Sequence, residues 1–351
     1  MIDMKRLFAL DYIRVIAISL VVLLHSSTLY YINPTGGILI NEHTSAIAFI
    51  VSLCRAGVPL FVIISGYLLL PMQVTIKQFF SRRFSRVLIP FVFWSIVYAL
   101  YQGDMFSEGH NLMNSIKLLF YIPINFVTTH MWYVYMLLGL YLLVPILSPW
   151  IKQVGKKEMS FFLIIWLLAS FISYIHLRFP NILGECEWNS TSTFYYFQGF
   201  IGYFLLGAYF KKYGVLSLTT SLFVTLVGYL LTVLLFSYGL HASASDRVLN
   251  TIWNYCSFNI VLLSIGLFCL FYNLFMNKKL DKSSLLLDVS KKSYAIYLAH
   301  ILVLRFISKY VMSVLDSPLF AIPSIALVVF LITYIVCRVM SKLPLSEKWL
   351  G

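Results

Sequence analysis

Residues 10–27 read LDYIRVIAISLVVLLHSS. This stretch places Arg14 and His25 in an otherwise lipid-soluble run. An ionisable side chain inside a transmembrane helix costs about 2.5–3.5 kcal/mol on insertion scales, so it is normally turned toward a bundle interior or a watery cavity. Eleven residues at about 100° each complete three turns plus about 20°, with a rise of about 16 Å. Arg14 and His25 therefore share one helix face, half a bilayer apart.

The rest of the chain has the same character. Of its 351 residues, 60% are hydrophobic, 17% aromatic and only 11% charged, and the mean hydropathy is +0.87, far outside the soluble range. Apolar runs of roughly 17–25 residues, the length that crosses a bilayer as helix, recur throughout. Spans are predicted at 12–33, 46–70, 87–103, 131–150, 159–178, 194–210, 215–238, 251–275, 293–314 and 319–340. The expectation is an all-α integral membrane protein of about ten transmembrane helices in one bundle. No Gly/Ser linker, low-complexity tract or clear repeat divides the series, so residues 1–351 read as a single polytopic domain with no appended soluble domain.

The formal charge of +13 raises the question of a nucleic-acid partner, but the placement of the basic residues argues against one. They cluster in alternate loops: Lys5 and Arg6; Lys77, Arg82, Arg83 and Arg86; Lys152, Lys156 and Lys157; Lys211 and Lys212; Lys278, Lys279, Lys282, Lys291 and Lys292; and Arg338, Lys342 and Lys348. By the positive-inside rule this pattern predicts an even number of spans with both termini cytoplasmic.

Five cysteines without a CxxC pair exclude a disulfide framework; Cys54, Cys256, Cys269 and Cys337 fall within spans, and Cys186 in GECEW reads as a free loop thiol. The first segment carries an arginine and lacks a small-residue cleavage site, so it is read as a retained span rather than a signal peptide. Neither end shows a lipidation motif.

Position alone leaves Arg14 open to two readings, a snorkelling residue or a guanidinium for a phosphate-bearing ligand. His25 is equally open, as a hydrogen-bonded core histidine or a general base. His300, about 10 Å into its span by helix rise, is either a second proton carrier or a packing partner of Tyr297. His43, His110, His130, His176 and His241 fall on the outer side, but no pair is spaced i, i+3 or i, i+4 on one helix, so no metal is expected. Glu42, Glu108, Glu185, Glu187 and Asp246 are candidates to orient His25 or meet a sugar, and spacing does not choose among them. The sequon at 189–191 is a pattern match only.

RVIAISLVVLLH, with ten residues between its Arg and its His, resembles the hallmark of the membrane-bound acyltransferase-3 family, the O-acetyltransferases of bacterial surface polysaccharides. GVPLFVIISGYLLL (57–70) is similar to the family's second-span signature through Phe61, Ser65 and Gly66, and Arg83 and Arg86 follow as an Arg-x-x-Arg motif. HMWYVYMLLGLYLLVPIL (130–147) looks like the His-x-Trp span, while FYYFQGFIGYFLLGAYF (194–210) and SYAIYLAHILVL (293–304) resemble the later small-residue and Ser-Tyr-x-x-Tyr-Leu-x-His spans.

The resemblance covers essentially the whole chain and is greatest to the short enzymes without an esterase-like domain. It implies a multi-pass protein of the bacterial inner membrane, with acetyl-CoA as donor and a glycan or lipid-linked sugar as acceptor. His25 would then be the catalytic base, Arg14, Arg83 and Arg86 would hold the CoA phosphates, and Ser65, His300 and Arg82 would support them. Direct transfer and an acyl-enzyme through His25, Ser26 or Ser65 remain alternatives. The competing reading is a polysaccharide or lipid-linked-sugar exporter, which also needs polar groups facing a cavity. Oligomeric state and acceptor identity are not legible.

Overall fold

The computed structural model describes residues 7–33, 36–102, 112–179, 194–281, 283–311, 317–344 and 346–350. Lys5, Arg6, Glu108, His110, Glu185, Cys186, Glu187, Lys282 and the sequon at 189–191 lie outside the described residues. The described chain is helical: α1 (Phe8–Tyr31), α2 (Thr44–Cys54), α3 (Gly57–Leu69), α4 (Ile76–Gln102), α5 (Leu112–Tyr121), α6 (Trp132–Gln153), α7 (Lys156–Ala169), α8 (Ile172–Arg178), α9 (Phe200–Tyr213), α10 (Leu218–His241), α11 (Asp246–Ile252), α12 (Phe258–Phe275), α13 (Leu285–Val311), α14 (Pro318–Met340) and α15 (Ser346–Leu350). Among the described residues the only β-type pairing is an isolated bridge between Ile32 and Ile38.

Among the described residues, eight helical segments are long and apolar enough to cross a membrane: 8–31, 44–69, 76–102, 129–153, 156–178, 218–241, 258–275 and 318–340. The other two predicted spans are also helical. α9 has 14 residues, about 21 Å of rise, which is short of a hydrocarbon core of about 30 Å. Its start is delayed to Phe200 because Gly199 takes φ of 85°, a conformation a helix cannot include. α13 is 27 residues long and carries His300 and Arg305 within its apolar stretch. Lipid-facing stripes lie on the outside, as at Phe223, Leu226, Leu230 and Leu234 of α10, all exposed at helical spacing.

α1 is the hub. It is apolar almost all round, the pattern of a buried helix, and packs against α2, α3, α12, α13 and α14. The α2–α3 span breaks at Arg55 and Ala56 because Pro59 offers no N–H to the carbonyl four residues back. α3 and α9 cross at glycines. A Cβ on Gly66 would collide with the Phe204 carbonyl, and one on Gly207 with the Ile63 carbonyl, so small residues here permit close backbone approach.

Several boundaries differ from the sequence reading. α13 begins at Leu285 rather than near 293, so Lys291 and Lys292 lie on a helix and not in the loop before it. α4 begins at Ile76 rather than near 87, because Thr75 and Gln78 cap it reciprocally: the Gln78 amide donates to Thr75 Oγ1 at 3.3 Å, and the Thr75 amide to Gln78 Oε1 at 3.4 Å. Arg82, Arg83 and Arg86 therefore sit on a helix, not in a loop. The span read at 251–275 starts at Phe258, since the Asn254 side chain accepts from the Cys256 amide at 2.9 Å and turns the chain.

Candidate active site

A cavity of about 290 Å³ opens between α1, α3, α4, α6 and α13. One end carries Arg14, Arg83, Arg86 and Lys291; Phe61, Ser65, Leu137 and Tyr141 form its middle; Tyr133, Tyr294 and Tyr297 stand at the other end. Arg83 and Arg86 reach it together because residues three apart share a helix face. Arg82, one step along, points about 100° away; it is exposed and is not among the lining residues.

Arg14 is held in place by an acid that sequence reasoning passed over. Asp11 is 1% exposed; its Oδ1 accepts from Arg14 Nη1 at 3.2 Å and from Ser290 Oγ at 2.7 Å. A buried carboxylate needs this kind of pairing, and its i, i+3 spacing to Arg14 was the legible signal. Among the described residues, Arg83 and Arg86 make no hydrogen bond or ion pair, so two guanidiniums face the cavity with donors to offer.

The cavity's inner end stops about one helical turn short of three histidines, on α1, on α13 and on the 3₁₀ turn Thr129–Met131 that leads into α6. On α1 the last lining residue is Val21, with His25 four residues on; on α13 it is Tyr297, with His300 three residues on. On α6, which runs the other way, it is Tyr133, with His130 three residues earlier. Tyr133 and Tyr297, with ring centroids 5.4 Å apart at 70°, floor the cavity, and the Tyr297 hydroxyl donates to the His130 carbonyl.

Beyond that floor the three imidazoles gather. His25 Nδ1 and His300 Nε2 are 3.0 Å apart, and the His130 ring lies 6.1 Å from His25 and 5.3 Å from His300, centroid to centroid. His300 is 0% exposed, and its Nδ1 lies 2.6 Å from the Tyr297 carbonyl and 3.2 Å from that of Ile296. Tyr98 props this turn: its hydroxyl donates to the Leu298 carbonyl at 2.9 Å and accepts from the Leu302 amide at 3.1 Å, inserting into the helix ladder. His130 Nδ1 is 3.4 Å from Thr128 Oγ1, and its buried Nε2 has no partner among the described residues.

The structure thus brings His25 and His300 into contact and adds His130, which the sequence reading had grouped with the outer histidines. Ser65 lines the cavity. Ser26 is buried, and its hydroxyl donates to the Val22 carbonyl at 2.9 Å. Glu42 instead meets His43 at the surface, at 3.4 Å. Among the described residues, no group of three or more His, Cys, Asp or Glu side chains is arranged to hold a metal ion.

An arginine-mouthed cavity directed at buried imidazoles, inside a bundle of apolar helices, defines a polytopic membrane protein whose site holds groups able to bind an anion and groups able to move a proton. The sequence model of a family described as an acyltransferase domain matches residues 7–338, so the chain belongs to the acyltransferase-3 family and is a membrane acyltransferase. No curated protein and no solved structure gives a significant match.

Proposed function

We propose that this acyltransferase moves an acetyl group from cytosolic acetyl-CoA to a hydroxyl of a bacterial surface glycan or its lipid-linked precursor, across the cytoplasmic membrane. In this reading α1, the α2–α3 pair, α4, α6, the α7–α8 pair, α9, α10, α12, α13 and α14 make ten spans, and both termini are cytoplasmic, as the alternating basic loops require.

The observation that carries the proposal is the single cavity that bears Arg14, Arg83 and Arg86 at one end and closes one turn from His25. Guanidiniums bind phosphate through charge-assisted, often bidentate, hydrogen bonds; here they would hold the CoA phosphates while the pantetheine arm runs inward past Ser65. The thioester then meets the tyrosine floor, with the imidazoles immediately behind it.

His25 accepts the proton of the acceptor hydroxyl. The hydroxyl oxygen bonds to the acetyl carbonyl carbon, the C–S bond breaks, and the proton leaves on the CoA thiolate as free thiol. General base assistance of this kind contributes about 10²–10⁴-fold in rate. The test is mass spectrometry of surface glycans and lipid-linked sugars from cells with and without the gene. An acetyl increment present only with the gene is expected, and identical spectra would contradict the proposal.

A further inference from the structure

We infer that His300 is a positioning residue that fixes the tautomer of His25, so that the basic lone pair of His25 is at Nε2. This rests on the proposed role of His25 as base. Hydrogen-bond valence around the two rings assigns the protons. A backbone carbonyl can only accept, and His300 Nδ1 lies 2.6 Å from the Tyr297 carbonyl and 3.2 Å from the Ile296 carbonyl, so Nδ1 carries the proton of neutral His300. Its Nε2 is then a lone pair.

His25 Nδ1 stands 3.0 Å from that lone pair, so His25 Nδ1 must donate. The Val21 carbonyl, one turn back, is a second acceptor beside the same ring. One proton on Nδ1 of a neutral imidazole leaves the base at Nε2.

The arrangement is the logic of a base oriented by a third group, with a neutral imidazole as the orienting acceptor. When the acceptor hydroxyl gives its proton to His25 Nε2, the new imidazolium keeps its Nδ1 proton on His300 Nε2, and that bond strengthens because its donor is now charged. His300 is itself fixed on both sides. Its Nδ1 is tied to its own helix, and the Tyr98 hydroxyl, set between the Leu298 carbonyl and the Leu302 amide, holds that turn of α13. Neither a proton carrier nor a packing residue needs this chain of orientation.

The experiment uses full-length protein in lipid nanodiscs, labelled with ¹⁵N-histidine. The seven histidines are sorted by subtracting the spectrum of His25→Gln. In wild type, His25 should show a protonated Nδ1 and an unprotonated Nε2. His300→Leu removes the acceptor, and His300→Gln leaves a side-chain oxygen within reach; both are measured, so that failure of one variant to insert leaves the other.

Thiol release from acetyl-CoA is followed in inverted membrane vesicles at matched protein level. His300→Leu should mix the His25 tautomers and lower the maximal rate about 10²-fold with KM for acetyl-CoA unchanged, and across variants the rate should track the Nδ1-protonated fraction. If the rate falls while the tautomer is intact, or the tautomer changes while the rate holds, or neither moves, the inference is overturned. Failure of the base reading is separate: it appears as near-normal turnover in His25→Gln, whatever His300 does.

Discussion

The two ends of the cavity lie on the same helices yet are built on opposite terms. At the mouth, Arg83 is half-buried and Arg86 exposed, and neither makes a hydrogen bond or ion pair among the described residues; Arg14 is tied down by Asp11. At the inner end every imidazole is positioned by a neighbour, His25 by His300, His300 by backbone carbonyls, and His130 by Thr128. A mouth that meets a mobile, hydrated anion gains from open donors, because paired ones would first have to release their partners. Proton transfer needs heavy atoms at about 2.6–3.2 Å, which only a pre-ordered site supplies.

That contrast predicts different failures at the two ends. The largest effect belongs to His25: His25→Gln should cut acetylation of surface glycan by about 10²-fold or more at matched protein level, since an amide cannot take up the proton. Next, Arg83→Ala or Arg86→Ala should each raise KM for acetyl-CoA about 10–100-fold, the loss of one charge-assisted contact of about 1.5–3 kcal/mol, with the maximal rate kept. Lys at either position should recover only part of this, lacking the planar fork.

Changes between the two ends should be smaller and of another kind. Gly207→Leu drives a side chain into the α3 backbone near Ile63 and should destabilise the bundle by about 1–3 kcal/mol, read as a lower thermal unfolding midpoint in detergent. Asp11→Asn keeps an acceptor for Ser290 but removes the charge that steadies Arg14; KM for acetyl-CoA should rise only a few-fold, in line with about 1 kcal/mol for a partly exposed pair.

The mouth was far more legible in the sequence than the histidine cluster. Helical periodicity alone puts Arg14 and His25 on one face, and Arg83 and Arg86 are neighbours on any helix. The cluster depends on residues 275 apart in the chain, and no local period brings His300 and His130 to His25; the tertiary crossing of α1, α6 and α13 does. Two signals were present but unread. Thr75 and Gln78 mark the true start of α4, and an acid three residues before a membrane arginine demands a partner. The truncated α9 turned on the backbone angle of Gly199, which residue identity alone does not fix.

In the proposed reaction one path carries two separable functions, donor binding at the arginines and transfer at the imidazole. The direct test measures acetyl-CoA binding and acetyl transfer side by side for His25→Gln and Arg86→Ala protein in nanodiscs of native lipid. His25→Gln is expected to bind acetyl-CoA with wild-type Kd and to transfer about 10²-fold or more slowly, whereas Arg86→Ala should bind weakly and transfer at near-normal rate once donor saturates. If His25→Gln weakens binding as much as Arg86→Ala does, or transfers acetyl at a near-normal rate, the division between mouth and cluster is contradicted.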